Sequence, residues 1–200
     1  TSLTSHEKPS IAVLPFDNMS GDSEQEYFSD GITEDIITAL SHLRWLNVIA
    51  RNSSFTYKGQ SPDIRQVADE LNCRYVLEGS IRKAGNRVRI NAQLLEGLSG
   101  NHIWAEKYDR ELEDIFDLQD EITEAVLGAI EPSLVLAEIE RAKRKHPENM
   151  DAYDLFLQGL PGLYTFDIEK NTTSLDLLHR AIDIDPTYPQ ALGYAAWGYE

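Results

Sequence analysis

Two kinds of hydrophobic pattern alternate along the first part of the chain. Residues 11–14 and 46–50 are short, nearly unbroken apolar runs, which are typical of strands buried on both faces. Between them, apolar residues recur at helical spacing and predict a helix over residues 27–43. A shorter stripe predicts a second helix over residues 64–71, for which Asp63 is a suitable N-cap.

The period then changes from that of a helix to that of a strand. Residues 75–83 and 88–94 alternate apolar with polar positions around a turn at residues 84–86, and a further strand follows at residues 102–110. This pattern predicts antiparallel strands with one buried face and one wet face. With the two earlier runs it predicts an α/β fold with a mixed, five-stranded sheet.

The rest of the chain has only helical signals. A helix is predicted from about residue 114, broken or restarted at Pro132, and continued over residues 134–145. The step from Ala181 to Pro186 is that of the late positions of a tetratricopeptide repeat, with Gly159 or Gly162 as the early small residue. One such hairpin buries its apolar face only against stacked neighbours, so we expect a piece of a longer protein. The predicted organisation is a linker over 1–9, an α/β domain over 10–146 and helical repeats over 147–200.

Composition narrows the classes of partner. The formal net charge of −16 and the pI near 4.6 argue against binding to nucleic acid or to anionic membranes. A single cysteine, Cys73, excludes an internal disulfide and a cysteine-based zinc site. No apolar run reaches the length of a membrane span. We therefore expect a cytoplasmic segment, with a membrane span upstream of residue 1 left open.

Candidate chemistry is sparse. The acidic loop at residues 17–22 has Met19 where a calcium loop needs an oxygen ligand. The five histidines are His6, His42, His102, His146 and His179, and no two of them have the i, i+4 spacing of a zinc-binding helix. The sequence also contains no glycine-rich phosphate loop and no nucleophile elbow. The sequence thus predicts no catalytic residue, no metal ligand and no cofactor.

Three candidate surfaces remain for a ligand or a partner. A pocket beyond the ends of the buried strands would lie near Phe16, Asp17, Ala50 and Arg51. A basic hairpin, with Arg82, Arg87 and Arg89, could dock acidic partners or could be an ordinary solvated face. The end of the repeat segment would expose apolar side chains and favour protein partners and self-association; these are Leu192, Tyr194, Ala195, Trp197 and Tyr199.

Several stretches, in this order, resemble the TolB-like amino-terminal domain of bacterial signalling proteins. They are residues 11–16 (IAVLPF), 28–36 (FSDGITEDI), 48–55 (VIARNSSF), 75–80 (YVLEGS), 104–110 (WAEKYDR) and 119–122 (QDEI). The resemblance covers about residues 10–130. It implies a three-layer α/β sandwich, commonly followed by tetratricopeptide repeats.

The resemblance also implies an upstream effector domain. In that family the effector is often a class III adenylate or guanylate cyclase and sometimes a winged-helix DNA-binding domain. The sequence of the stretches quoted above is most similar to the cyclase-linked group. No cyclase metal ligand or purine-reading residue can be placed on this segment. We therefore expect a non-catalytic regulatory or protein-interaction module of a signalling protein that makes a cyclic nucleotide. The alternative is a small-molecule sensor module of a winged-helix transcriptional regulator, and an enzyme in its own right is the least favoured hypothesis.

Overall fold

A mixed β-sheet organises the amino-terminal part of the protein. The computed structural model describes residues 8–111, 114–144, 150–165 and 167–199, and the side chain of residue 24 is not described. By internal contacts the chain divides into two compact units, Lys8–Leu134 and a helical unit from Val135 onwards. This division falls before the boundary at 146/147 predicted from Pro147. That proline and most of the predicted linker, residues 1–7, lie outside the described residues.

Six strands form the sheet. They are β1 (Ser10–Val13), β2 (Asp17–Asn18), β3 (Asn47–Val48), β4 (Tyr75–Ala84), β5 (Arg87–Glu96) and β6 (His102–Glu111). The order is β3-β1-β4-β5-β6, and the short β2 pairs with β4. Strand β1 pairs in parallel with β3 and with β4, and β2 pairs in parallel with β4, while the β4–β5 and β5–β6 pairs are antiparallel. The predicted mixed sheet is confirmed, and β2 is an added strand within what the sequence predicted as a loop.

Helices cover both faces of the sheet. On one face α3 (Ile64–Glu70) packs Val67 and Ala68 against Ala12 and Val76. The other face carries α1 (Glu26–Ser41), where Thr33 Oγ1 accepts a hydrogen bond of 3.0 Å from the Phe16 backbone N–H. These layers confirm the predicted α/β architecture, and the predicted Asp63 cap of α3 is confirmed by its bond to the Arg65 backbone N–H.

The helix α4 (Ile115–Lys143) corrects one prediction. It continues through Pro132, where the sequence predicted a break or restart. The neighbouring apolar residues Ile130 and Leu134 are fully buried, so packing on both sides of the proline holds the helix together. Residues 51–57, for which the sequence pattern predicts neither a helix nor a strand, form the short helix α2 (Arg51–Ser54) and a 3-10 turn (Phe55–Tyr57).

The helical unit contains the end of α4 from Val135 onwards, together with α5 (Ala152–Leu163), α6 (Ile168–Ile184) and α7 (Pro189–Trp197). Both candidate small residues lie where α5 approaches α6: a Cβ on Gly159 or on Gly162 would meet Ser174. Phe156 packs edge-on against Tyr188 and Tyr194, with ring centroids 5.4 and 5.6 Å away. Pro161 lies inside α5, which is one continuous helix.

Candidate functional site

An open groove lies on the wet face of the antiparallel strands. It has a volume of about 590 Å³. Its floor is formed by alternate residues of β4, β5 and β6, and α3 covers the same face of the sheet only over β1 and the start of β4. One wall is the segment from Tyr57 to Pro62, and another is the segment from Leu14 to Asp17.

Paired polar side chains line the floor of the groove. Strand register places Glu78 opposite Gln93 and Ser80 opposite Asn91. Gln93 Nε2 donates to Glu78 Oε1 at 2.5 Å, and Asn91 Nδ2 donates to Ser80 Oγ at 3.1 Å. These contacts fix the orientation of both amides and leave further lone pairs and amide hydrogens for a ligand. The floor therefore has the chemistry of a site for polar, hydrogen-bonding groups.

The wall of the groove is held by an ordered tyrosine. Tyr57 donates its hydroxyl hydrogen to the Glu70 carboxylate, and this hydrogen bond raises the pKa of Tyr57 to about 12. The same bond lowers the pKa of Glu70. Tyr57 thus stays neutral at physiological pH, and it lines the groove.

The predicted basic hairpin lies on the same face of the sheet, past the lined part of the groove. Arg82 and Arg89 are opposite each other in the register, and both are exposed, as is Arg87. Arg89 donates to Asp109 at 2.6 Å, which lowers the pKa of that carboxyl group. One of the three cations is therefore already partnered, which reduces the positive charge that the hairpin offers an acidic partner.

The predicted strand-end pocket is only partly formed. Asp17 lines the groove, but Phe16 is 2% exposed and packs into the core on the opposite face, so Phe16 is removed from the candidate surface. Ala50 and Arg51 belong to the start of α2, away from the groove lining. Arg51 instead forms an ion pair with Glu34 at 3.2 Å and lies over the Phe55 ring, 3.8 Å from its centroid.

The predicted apolar end of the helical unit exposes only some of its predicted side chains. Trp197 is 47% exposed and contacts Tyr164, with ring centroids 5.5 Å apart. Leu192 and Tyr199 are also exposed, whereas Ala195 is buried and therefore drops out of the predicted patch.

Sequence reasoning missed the residues that form the floor of the groove. A signal was present, because the polar positions of the alternating hairpin pattern include Asn91 and Gln93. The missing information was which neighbouring strands would bring Glu78, Ser80 and Lys107 beside them.

Two features are absent from the described residues. Among them, no three or more His, Cys, Asp or Glu side chains are grouped in a way that could hold a metal ion. The helices that the structure describes include none with the length and apolarity to cross a membrane.

Comparison with known proteins assigns this chain to a family. The model of the second domain of HilA/YgeH-like transcriptional regulators matches residues 6–125. The chain belongs to this family. It is also 55% identical over 179 residues to a Rhizobium meliloti (strain 1021) protein named "Putative adenylate cyclase 3", and the match covers 90% of this chain. The chain spans only 30% of that relative, so it is similar to one module of a larger protein.

Solved structures with a similar backbone include lipoprotein GNA1162 from Neisseria meningitidis. That structure is 18% identical, with 60% of this chain and 95% of the other covered at a TM-score of 0.46. TolB from Acinetobacter baumannii is 16% identical, with 63% of this chain and 29% of the other covered at a TM-score of 0.45.

Proposed function

We propose that this chain is a non-catalytic regulatory module of a bacterial signalling protein in which another domain synthesises a cyclic nucleotide. The observation that carries the proposal is the 55% identity to a protein named as an adenylate cyclase, of which this chain spans 30%. The groove adds a place where a ligand could bind, since it offers paired amides, carboxylates and hydroxyls.

The regulatory mechanism that we propose is a coupling between the groove and the effector. A ligand or peptide with polar groups would bind across Glu78, Gln93 and Asn91 and would favour one state of the larger protein. Binding of this kind can shift an effector equilibrium only by its difference in affinity for the two states.

The helical unit would supply a surface for protein partners. Its exposed aromatic side chains, Trp197 and Tyr199, lie at the carboxyl end of a packed helical hairpin. The close approach of α5 and α6 at Gly159 and Gly162 supports the proposal that the unit begins a tetratricopeptide-like array. Stacking of a further hairpin, or self-association, would cover the exposed patch.

The first experiment compares cyclase activity of the full-length parent with and without residues 10–200. We expect the rate to change on deletion, because a regulatory module alters the effector equilibrium. An unchanged rate, in a parent that has cyclase activity, would contradict the proposal. An absence of cyclase activity in both forms would remove the cyclase and move the search to another effector.

A point substitution tests the groove itself. Ala105 lies on its floor and is exposed, so Ala105→Trp would fill the groove without entering the core. Ala84→Trp is the matched control, since Ala84 lies on the same face of β4 beyond the lined part. We expect Ala105→Trp to change the regulated cyclase rate in the full-length parent and Ala84→Trp to leave it unaltered. Equal effects of the two variants would argue against the groove.

The alternative parent, a winged-helix transcriptional regulator with this chain as its small-molecule sensor, is not favoured. The family description names transcriptional regulators, but the family model matches a domain and says nothing of the domain attached to it in this protein. The relative at 55% identity includes most of this chain, so its name is the more specific guide to the parent.

A further inference from the structure

The outer strand of the sheet, β6, is long and open along one edge. The strand has ten residues and pairs with β5 alone in the described part of the chain, whereas the opposite edge strand, β3, has only two. An edge of this length presents a row of backbone donors and acceptors, and such edges accept an additional strand.

The side chains of β6 carry a self-complementary charge pattern. Around Tyr108 the sequence runs Glu106, Lys107, Tyr108, Asp109, Arg110, with the charges reversed on either side of the tyrosine. Lys107 and Asp109 share the groove face, because they are paired with Asn91 and Arg89 on β5. Glu106 and Arg110 share the other face, where Arg110 Nε contacts Glu121 of α4 at 2.5 Å.

We infer that β6 is a dimerisation strand that pairs antiparallel with β6 of a second copy, centred on Tyr108. In this register Lys107 lies opposite Asp109 of the partner subunit, and Glu106 lies opposite Arg110 of the partner subunit. The two-fold axis repeats both pairs, so four cross-strand pairs of opposite charge form. Opposite charges in directly facing positions stabilise antiparallel strands.

Neighbouring registers are disfavoured by the same residues. A two-fold axis perpendicular to the sheet keeps each face continuous, so the centre of a symmetric pairing must fall on a residue. Centring on Lys107 would place two lysines opposite each other, and centring on Asp109 would do the same with two aspartates. Centring on Glu106 would bring two glutamates together, so the register at Tyr108 is the one that these charges select.

The intrachain contacts of the two charges on the groove face, Lys107 and Asp109, are compatible with pairing. Asp109 contacts Arg89 at 2.6 Å and Lys107 at 3.7 Å, and both contacts are on the surface. Surface ion pairs contribute little to stability on their own, so these side chains can share or exchange partners at low cost. Charges also keep unrelated strands away from an open edge, which favours a second copy over a generic strand.

The test is a charge exchange followed by analytical ultracentrifugation of the full 200-residue chain. Lys107→Glu and Asp109→Lys each convert two attractive cross-strand pairs into repulsive ones. We expect each variant alone to dimerise about tenfold more weakly than the unsubstituted 200-residue chain. When the two variants are mixed, the introduced carboxylate of one chain faces the introduced ammonium group of the other, and the unchanged Asp109 and Lys107 face each other. The mixture should therefore form heterodimers with about the affinity at which the unsubstituted chain forms homodimers.

Lys143→Glu is the matched control. It makes the same change in net charge at an exposed lysine of the helical unit, and we expect it to leave the dimer affinity unaltered. Circular dichroism of every variant would establish that the fold is retained.

Three results would overturn the inference. The first is that the unsubstituted chain stays monomeric at the highest concentration reached. The second is a loss in Lys143→Glu as large as that in Lys107→Glu, which would indicate general repulsion between acidic chains. The third is a mixture that associates no better than the single variants, which would place self-association elsewhere, for example at the exposed end of the helical unit. This inference does not depend on the proposed regulatory function.

Discussion

A glycine on β4 allows the core to fill on the side away from the groove. A Cβ built on Gly79 would lie 2.5 Å from a ring carbon of Phe16 and 2.5 Å from the backbone oxygen of Asn91. The Phe16 ring therefore packs directly over the backbone of β4. We predict that Gly79→Ala lowers the free energy of unfolding by about 1–3 kcal/mol, because backbone and ring would both have to move. Urea denaturation would measure the loss.

A second glycine provides the control for that measurement. A Cβ on Gly128, in α4, would meet nothing within 4 Å. Alanine favours a helix interior over glycine, so Gly128→Ala should raise the free energy of unfolding by about 0.5–1 kcal/mol. Two Gly→Ala changes of opposite sign would show that steric contact, and not glycine content, decides the effect. A neutral Gly79→Ala would contradict the close packing.

The single cysteine should be unreactive in the folded protein. Burial raises the pKa of Cys73 to about 11, above its usual range. The folded state therefore holds its proton more tightly than the unfolded state, and this contribution to stability is present below the unfolded pKa and is lost as the pH rises from about 9 to about 11.

We predict slow reaction of Cys73 with a thiol reagent at pH 8, accelerated by denaturant, because only the thiolate reacts. The rate of thiol modification, followed by absorbance across urea concentrations, checks this. A fast reaction without denaturant would contradict the burial of Cys73. A Cys73→Ala variant should show a weaker loss of stability between pH 9 and 11.

At the scale of elements, a buried ion triad joins two segments of the helical unit. Glu138 and Asp154 are fully buried, and Arg141 Nη2 contacts one oxygen of each at 3.1 Å. We predict that Arg141→Met destabilises the helical unit by about 3–5 kcal/mol, since it removes the cation that contacts both buried carboxylates. Thermal denaturation followed by circular dichroism measures the change.

Lys143→Met is the matched control for the triad. Lys143 is two residues further along α4 and pairs with Glu140 at 2.7 Å on the surface. Loss of an exposed pair should cost at most about 1 kcal/mol. If both variants lost the same stability, the triad would contribute no more than an exposed pair.

The elements that the sequence predicted well are those whose pattern is local. The stripe of α1, the cap of α3 and the alternation of β4 and β5 follow from residues within a few positions of one another. The continuity of α4 through Pro132 was missed because it depends on tertiary packing around Ile130 and Leu134. The two-residue strand β2 was missed because its pairing with Ser80 and Ile81 is long-range.

At the scale of the whole molecule, the order of the strands in the sheet explains why the sequence predicted only part of the site. The alternating pattern identified a wet face, but the groove exists because β4, β5 and β6 lie side by side while α3 covers only part of that face. Phe16 and Asp17 are adjacent in sequence and lie on opposite faces, which residue type alone could not reveal. The predicted protein partners and the predicted repeat array remain proposals.

The charge of the whole chain leads to a last prediction, which concerns DNA. The family description names transcriptional regulators, yet the chain carries a net charge of −16, and Arg89 of its basic hairpin is tied to Asp109. Proteins that bind DNA non-specifically do so with Kd of about 10⁻⁴–10⁻⁶ M at physiological salt, through cations that neutralise phosphates.

We predict no binding of this chain to duplex DNA at about 100 µM protein and about 50 mM salt, where phosphate contacts would be strongest. Fluorescence anisotropy of a labelled duplex would measure it. Saturable binding that weakens with salt and is abolished by Arg87→Glu would show instead that the hairpin overcomes the repulsion, and DNA contact would then have to be added to the roles of this module.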